Sequence, residues 1–534
     1  MKPRAAFTLG ALCGVQAGPI NRENHDTRCT DLLNLYQNTS AIQVHLATGI
    51  QTRGLNISSE DGTKATQNEI PLCHVQGTIK YAEGPDGHAQ AGSNGKASLT
   101  WEVFLPEYSG YNGRYLGIGN GGYAGIIDNY TMLTHLNSGY AVGGCDGGHH
   151  VNENKNGDGG SHAPFMEDTA KVQAWIHDSI ALTTSVARDA IAETYYSSSP
   201  EYSYYYGCST GGGQGYALAE FYPELFDGIL AEGPGNYYTH LILSFLWNQQ
   251  HTKGDGFMDQ DDLDFITDSV LDACDEHDGV GDRVIENPTK CQFDIETLAC
   301  GSGQHSANQS LCLTPSQIEA AKAIYEGAKD TTGNQVYPGF NPGTEASWLE
   351  HETTLFESYG APILRRLVFN DTSYDALKDF NWNRDLAAVN ALASPLIDSI
   401  SNNLSAFHAR NGKFITAQGW ADQINAASWP VQHLTDIRDT MGSETVDEFM
   451  RLFMIPGGGH CGANEAYPHV PATYRILDAL VNWVEEGILP DEGVLSEKPP
   501  DGRDVTRRLC PWPKQARFVG GDHGYWGNYE CVIV

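Results

Sequence analysis

The sequence predicts an α/β fold, a mostly parallel sheet flanked by helices and interrupted by one long insertion. Three observations carry that expectation. Short β-prone runs alternate with helical patterns and glycine turns from about residue 75 to residue 235. Residues 236–410 change character, holding four cysteines, several helical patterns and few alternating strands. The sheet pattern then resumes at residue 411 and runs on toward residue 534.

Each element has its own signal. Ala97–Leu105 reads as a strand, as do Arg114–Ile118 and Tyr140–Val142, and each ends in glycines or a turn. Between Ala170 and Ala192 the apolar residues Val172, Trp175, Ile176, Ile180 and Val186 recur at helical period. Tyr202–Tyr206 is β-prone, 207–215 is expected to be a tight turn, and a helix is expected over Tyr216–Phe221. Ile229–Ala231 is the next short buried strand. Strand, turn, helix and strand in that order place neighbouring strands parallel. Lys413–Ala417 and Leu452–Ile455 are the strands after the insertion. With 40% hydrophobic and 19% charged residues over 534, the chain can bury a sizeable core and is not globally disordered.

The N-terminus reads as an address. Lys2 and Arg4, the apolar run Ala5–Cys13 and the small-x-small site Val15-Gln16-Ala17 form a secretory signal peptide over residues 1–17. No later run reaches 18 uninterrupted apolar residues, so no membrane span is expected. Sequons at Asn38, Asn56, Asn129, Asn308, Asn370 and Asn403 fit an exported glycoprotein. Acidic residues outnumber basic ones 67 to 32, and a net charge of −35 argues against nucleic acid and anionic membranes as partners. Twelve cysteines are present and Cys13 leaves with the signal, so an exported chain would form disulfides with one cysteine left over. None is spaced Cys-x-x-Cys, which argues against zinc ligation.

Gly207-Cys208-Ser209-Thr210-Gly211 fits the Gly-x-Ser-x-Gly turn that exposes a nucleophilic serine between a strand and a helix. Among 59 glycines the same five residues also fit a structural turn. An acid and a histidine should follow in chain order, each just after a strand. Asp422 follows Lys413–Ala417, and His460 follows Leu452–Ile455. In that reading His460 takes the proton from Ser209, and Asp422 orients the imidazole. Asp422 as a helix cap and His460 as a surface loop residue are the plainer alternatives. Cys208 and Cys461 flank Ser209 and His460, so convergence of the serine and histidine would bring the two sulfurs within disulfide reach. Closing that loop of roughly 250 residues is worth at most about 5 kcal/mol on the chain-entropy model. Oxyanion donors are expected at the backbone N–H of Thr210 and of Gly122, the latter in the glycine loop 119–125.

Taken together, these residues resemble the tannase and feruloyl esterase family, whose hallmark Cys-Ser, Asp and His-Cys arrangement is met at Cys208-Ser209, Asp422 and His460-Cys461. The likeness runs from Cys29 to Cys531 and implies an α/β-hydrolase fold with a large inserted lid. The implied division is 18–235 and 411–534 for the two parts of the catalytic domain, with 236–410 as the lid. The implied activity is hydrolysis of phenolic acid esters, hydroxycinnamates on plant cell-wall sugars or gallates in tannins, by an extracellular enzyme. The resemblance further implies disulfides Cys29–Cys73, Cys208–Cys461, Cys274–Cys291, Cys300–Cys312 and Cys510–Cys531, leaving Cys145 as a buried thiol. It implies a structural calcium ion in the lid and no organic cofactor. The ligands would be Asp275, Asp278 and Asp282 with the carbonyls of Val280 and Val284, although the spacing is not that of an EF-hand. Two positions depart from the family pattern: Gly213, where many members carry arginine, and Cys145, where a small hydroxyl residue is expected.

The function expected from the sequence is therefore acyl transfer to water through an acyl-enzyme on Ser209. Tyr237, Tyr238 and Trp247 are the expected aromatic contacts to the phenolic ring. Three rivals stay open at this point: a tannase acting on gallates, a secreted serine carboxypeptidase, and a non-catalytic binding protein.

Overall fold

A ten-stranded sheet runs through the protein in a computed structural model that describes residues 28–59, 62–84, 87–150, 164–195, 199–301 and 311–534. The expected signal peptide and Asn308 lie outside the described residues. The strands are β1 (Ile42–Ile50), β2 (Leu72–Glu83), β3 (Ala89–Ala91), β4 (Ala97–Pro106), β5 (Arg114–Ile118), β6 (Ala141–Cys145), β7 (Tyr202–Cys208), β8 (Gly228–Glu232), β9 (Lys413–Gly419) and β10 (Met450–Ile455). Their order is β1-β2-β4-β6-β5-β7-β8-β9-β10, with β3 paired to β2. From β6 through β10 every pairing is parallel. β1 to β4 add an antiparallel edge.

The helices that matter below are α1 (Asn129–Leu136), α2 (Ser179–Tyr195), α3 (Thr210–Phe221), α4 (Tyr238–Thr252), α5 (Gln260–Cys274), α6 (Pro315–Glu326), α7 (Ser428–Met441) and α8 (Ile476–Glu486). Alternation along the strands separates two apolar layers. Trp101 and Tyr205 pack with Val186 of α2, Leu218 of α3 and Ile437 of α7. Their neighbours Phe104 and Tyr204 point the other way, onto Leu133 of α1 and Leu480 and Trp483 of α8. α8 shows why this face closes: Ile476, Leu480 and Trp483 make one buried stripe, and Gly487 ends the helix at φ 70°. Glu485 at its end accepts from Arg114 Nε (2.6 Å), Arg114 Nη2 (2.7 Å) and Tyr204 OH (2.7 Å).

Two local expectations are corrected. The stretch 207–215 is not a long turn, because α3 begins at Thr210 directly after the serine. Glycine is a poor helix former, and tertiary packing overrides that preference here. A Cβ on Gly212 would stand 2.5 Å from the Glu232 carbonyl oxygen, and one on Gly213 would stand 2.9 Å from that of Gly235. The backbone of 232–236 thus fills the space a side chain at 213 would need. The helix expected over Ala170–Ala192 is longer and distorted, with a π-helical stretch over Ala174–Asp178 between Thr169–Gln173 and α2.

β8 and β9 are neighbours in the sheet, yet the chain leaves after Glu232 and returns at Lys413. The intervening segment packs through two apolar clusters that it shares with the rest of the chain. One gathers Ile242 and Phe245 of α4 with Tyr337 and Leu364. Another gathers Leu263, Ile266 and Val270 of α5 with Ile318 and Ile324 of α6. Capping boxes open α5 (Asp259 with Asp262) and α6 (Thr314 with Gln317).

Five disulfides are formed: Cys29–Cys73, Cys208–Cys461, Cys274–Cys291, Cys300–Cys312 and Cys510–Cys531. Cys145 is a buried free thiol at the end of β6. Four sequon asparagines, Asn38, Asn56, Asn370 and Asn403, are exposed, and Asn129 is half-buried at the start of α1. Among the described residues no helix is long and apolar enough to cross a membrane.

Trp101 is fully buried, and its ring fills the space over Gly77 of β2. Trp101→Ala should cost about 3–5 kcal/mol through the cavity it leaves. Denaturant unfolding should report this as a lower midpoint with an unchanged slope.

Candidate active site

β7, β9 and β10 deliver Ser209, Asp422 and His460 to one end of the sheet, just beyond their C-terminal ends. Ser209 sits at φ 62°, ψ −124°, a strained conformation for a residue with a side chain. Neighbouring backbone holds it there: its N–H donates to the Glu232 carbonyl (2.9 Å), and its carbonyl accepts from Gly213 (3.1 Å) and Gly235 (2.9 Å). Thr210 opens α3, so its N–H has no intrahelical carbonyl to bond and points at the helix mouth.

Asp422 is fully buried, and its carboxylate is crowded with donors. Oδ1 accepts from Ile424 N–H (2.8 Å) and Asn425 N–H (2.9 Å). Oδ2 accepts from Gln418 Nε2 (2.8 Å) and His460 Nδ1 (2.9 Å). With Nδ1 carrying the proton, the imidazole keeps Nε2 as a base. The two loops are also joined through their backbones: Trp420 N–H donates to Ile455 and Ala421 N–H to Gly458, both at 2.9 Å. Gly419 permits this approach, since a Cβ there would stand 2.2 Å from the Gly458 oxygen. The Cys208–Cys461 bond, with a Cα–Cα distance of 5.7 Å, links the residue before Ser209 to the residue after His460.

Ser209 and His460 line one cavity of about 380 Å³. Gly121 and Gly122 form part of its wall, and Gly122 is fixed where its carbonyl accepts from Trp175 Nε1 (3.0 Å). The rest is largely apolar: Tyr238, Leu241, Phe245, Tyr359 and Ile424. Of the three expected aromatic contacts, Tyr238 lies in this cavity. Tyr237 and Trp247 do not, and both expectations are corrected. Tyr237 stacks on His240, and Trp247 donates to the Ala323 carbonyl (3.0 Å). The reason is helical phase: Tyr238, Leu241 and Phe245 share one face of α4, and positions 237 and 247 lie off it. That spacing was the signal available for Leu241 and Phe245. Tyr359, Gln214 and Asn120 carried none. Gln214 Oε1 accepts from Asn120 N–H (2.9 Å), and Asn120 Nδ2 donates to the Cys145 carbonyl (2.7 Å). Cys145 thus supports the glycine loop through its backbone, while burial pushes its thiol upward in pKa.

Two groups bear on metal binding. Among the described residues, His88, His177 and Asp178 bring their ligand atoms within 4.8 Å of one another and could hold a metal ion. The sequence reading did not single them out. In the acidic turn after α5, Asp275 Oδ1 accepts from Asp282 N–H (3.2 Å) and Val284 N–H (3.1 Å). Asp278 Oδ1 accepts from Val280 N–H (3.0 Å), and Asp282 Oδ2 pairs with Arg507 (2.8 Å).

Residues 86–532 match the sequence model of the family described as tannase and feruloyl esterase. A probable feruloyl esterase B-1 of Aspergillus oryzae is 28% identical over 515 residues, covering 93% of this chain and 91% of that one. A probable feruloyl esterase B-2 of Aspergillus fumigatus is 30% identical over 468 residues, covering 83% and 86%. The crystal structure of feruloyl esterase B from Aspergillus oryzae superposes with a TM-score of 0.81 at 27% identity, covering 95% of this chain and all of that one. Tannin acyl hydrolase from Aspergillus niger shares the fold, with a TM-score of 0.77 at 22% identity, covering 95% and 94%.

Burial raises the Glu232 carboxyl, behind Ser209, to about 7, against a hydrogen bond from Tyr206 that lowers it. A folded pKa above the unfolded 4.5 stabilises the fold below that pH and loses the contribution as pH rises through about 7. Thermal melts of Glu232→Gln between pH 4.5 and 7.5 should therefore fall less steeply than those of the native chain. Parallel slopes would contradict this assignment.

Proposed function

Because the chain belongs to the tannase and feruloyl esterase family and is a carboxylic ester hydrolase, we propose that it cleaves hydroxycinnamate esters by acyl transfer through Ser209. His460 takes the Ser209 proton as the hydroxyl attacks the ester carbonyl, then delivers it to the departing alcohol. Asp422 holds the imidazole in the tautomer this requires and stabilises the imidazolium. The N–H groups of Thr210 and Gly122 receive the oxyanion. Water then hydrolyses the acyl-enzyme by the same route reversed.

The observation that carries the choice of acid is the cavity wall. Leu241, Phe245 and Ile424 offer nothing to a hydroxyl, and Tyr238 and Tyr359 add aromatic rings, with Gln423 the one side-chain amide. A methoxylated cinnamoyl group loses little on entering such a site, whereas each of the three hydroxyls of a gallate would need a partner there. The similarity to probable feruloyl esterases points the same way. The segment 236–410, which supplies α4 and Tyr359, would act as the lid. Five disulfides and four exposed sequons support an extracellular glycoprotein.

The acidic turn suits a calcium ion. Asp282 Oδ1 is buried without a hydrogen-bond partner. Burial, and then the Asp282 and Asp275 charges, push the Asp278 carboxyl upward against the Val280 N–H and Arg507. Asp275, Asp278 and Asp282 with the Val280 and Val284 carbonyls would hold the ion, whose positive charge would fix the turn and take no part in ester chemistry.

Methyl ferulate should be turned over faster than methyl gallate. Ser209→Ala should lose at least about 10³-fold in kcat and all labelling by a fluorophosphonate. Unchanged hydrolysis by Ser209→Ala would end the catalytic reading, and a preference for gallate would reverse the acid assignment. Calcium at about 100 times its Kd should add about 2.7 kcal/mol of stability to chelator-treated protein. Asp278→Asn should weaken that response; a melting temperature indifferent to chelator and calcium would exclude the ion.

A further inference from the structure

His88, His177 and Asp178 take no part in the ester chemistry, and their ligand atoms lie within 4.8 Å of one another. His88 directly precedes β3, while His177 and Asp178 end the π-helical stretch that leads into α2. Consecutive residues of a regular helix point about 100° apart, so neighbours do not face one another. Here the His177 ring and the Asp178 carboxylate meet directly, Nδ1 against Oδ1. That meeting falls within the widened turn, and π-helical turns are frequent at functional sites.

Asp178 is fully buried and its carboxylate is held in place. Oδ2 accepts the Ala89 N–H (2.5 Å), and Oδ1 accepts the Tyr222 hydroxyl (2.6 Å) besides the His177 contact. The Ala89 and Tyr222 bonds orient the carboxylate as the outer partners of a metal ligand do. His88 Nδ1 stands 3.4 Å from the same Oδ1. That separation is longer than a good N–H···O hydrogen bond. It matches one edge of a zinc tetrahedron, since bonds of about 2.0–2.1 Å set adjacent ligand atoms about 3.3–3.4 Å apart. The Phe221 ring centre lies 4.8 Å from that of His177, and the Tyr222 ring centre 5.3 Å from that of His88, so aromatic side chains flank both imidazoles.

We infer that His88 Nδ1, His177 Nδ1 and Asp178 Oδ1 form a structural site for a late first-row divalent cation of the zinc class. Two imidazole nitrogens and one carboxylate oxygen are the donors such ions take. Calcium favours about six to eight oxygens and is not suited to this set. The lack of Cys-x-x-Cys spacing bears on thiolate sites alone. On binding, each imidazole presents the Nδ1 lone pair and carries its proton on Nε2, so the ion replaces the proton between His177 and Asp178. His88 is half-buried, which leaves the fourth position to water. The ion ties the start of β3 to the entrance of α2 and, through Tyr222, to the end of α3. α3 has 12 residues and begins directly after Ser209. At about 1.5 Å per residue its length sets the site about 18 Å along the helix from the nucleophile. The role is therefore structural, and it rests on no choice of ester.

The test uses the full chain, stripped with EDTA and returned to calcium so that the acidic turn after α5 is supplied first. Zinc(II) is then titrated calorimetrically into the native chain, His88→Gln and His177→Gln. The native chain should bind one equivalent and melt about 2–3 °C higher with zinc at about 100 times its Kd. Cobalt(II) in place of zinc should give the visible absorption of a tetrahedral ion. Each substitution should weaken zinc binding by at least about tenfold and abolish the cobalt absorption. Ester hydrolysis without zinc should stay at the native rate in His88→Gln. That variant keeps the Ala89 and Tyr222 bonds to Asp178, so it decides the matter if His177→Gln folds poorly. No equivalent of zinc bound by the native chain would overturn the inference. So would binding that His88→Gln retains in full, which would assign the zinc to other histidines.

Discussion

The loops after β9 and β10 lie against each other, and the arrangement around the serine depends on that contact. Trp420 and Ala421 donate backbone hydrogen bonds to Ile455 and Gly458, and Gly419 leaves the space for them. Asp422 is buried at the contact and reaches His460 across it. A buried carboxylate is tolerable only when its lone pairs are met, and Ile424, Asn425, Gln418 and His460 meet them here. The Cys208–Cys461 bond carries the same constraint to the third loop, which holds Ser209 at its strained dihedrals.

This rigid end of the sheet adjoins two environments of opposite kind. The insertion between β8 and β9 contributes Tyr238, Leu241 and Phe245 from α4 to one, and Asp264 and Asp268 from α5 to the other. α4 is anchored in an apolar cluster with Trp175 and Ala217, and α5 in one with Tyr467 and Val470.

Much of this was legible beforehand. The parallel strands declared themselves as short apolar runs ending in glycine, and Ser209, Asp422 and His460 each followed one. Where the reading missed, a through-space contact had overridden a local preference. α3 starts at Thr210 in spite of its glycines because 232–236 packs against it. Tyr237 and Trp247 were chosen for being aromatic, but the phase of α4 turns them from the cavity and brings in Leu241 and Phe245. Asn120 and Gln214 support the glycine loop through a hydrogen bond spanning 94 residues, which no local pattern encodes.

What the sequence determined by itself was the chemistry available: a serine at a sharp turn, an acid and a histidine after later strands, and cysteines beside two of the three. Those are local facts, set by which residue follows which strand. Only the tertiary structure decided which side chains surround them, that Tyr359 lines the serine cavity and that Gln423 lies between an apolar chamber and a polar groove. Such neighbours come from chain segments tens to hundreds of residues apart, and their positions follow from packing the insertion onto the sheet, a property of the whole fold rather than of any stretch of it.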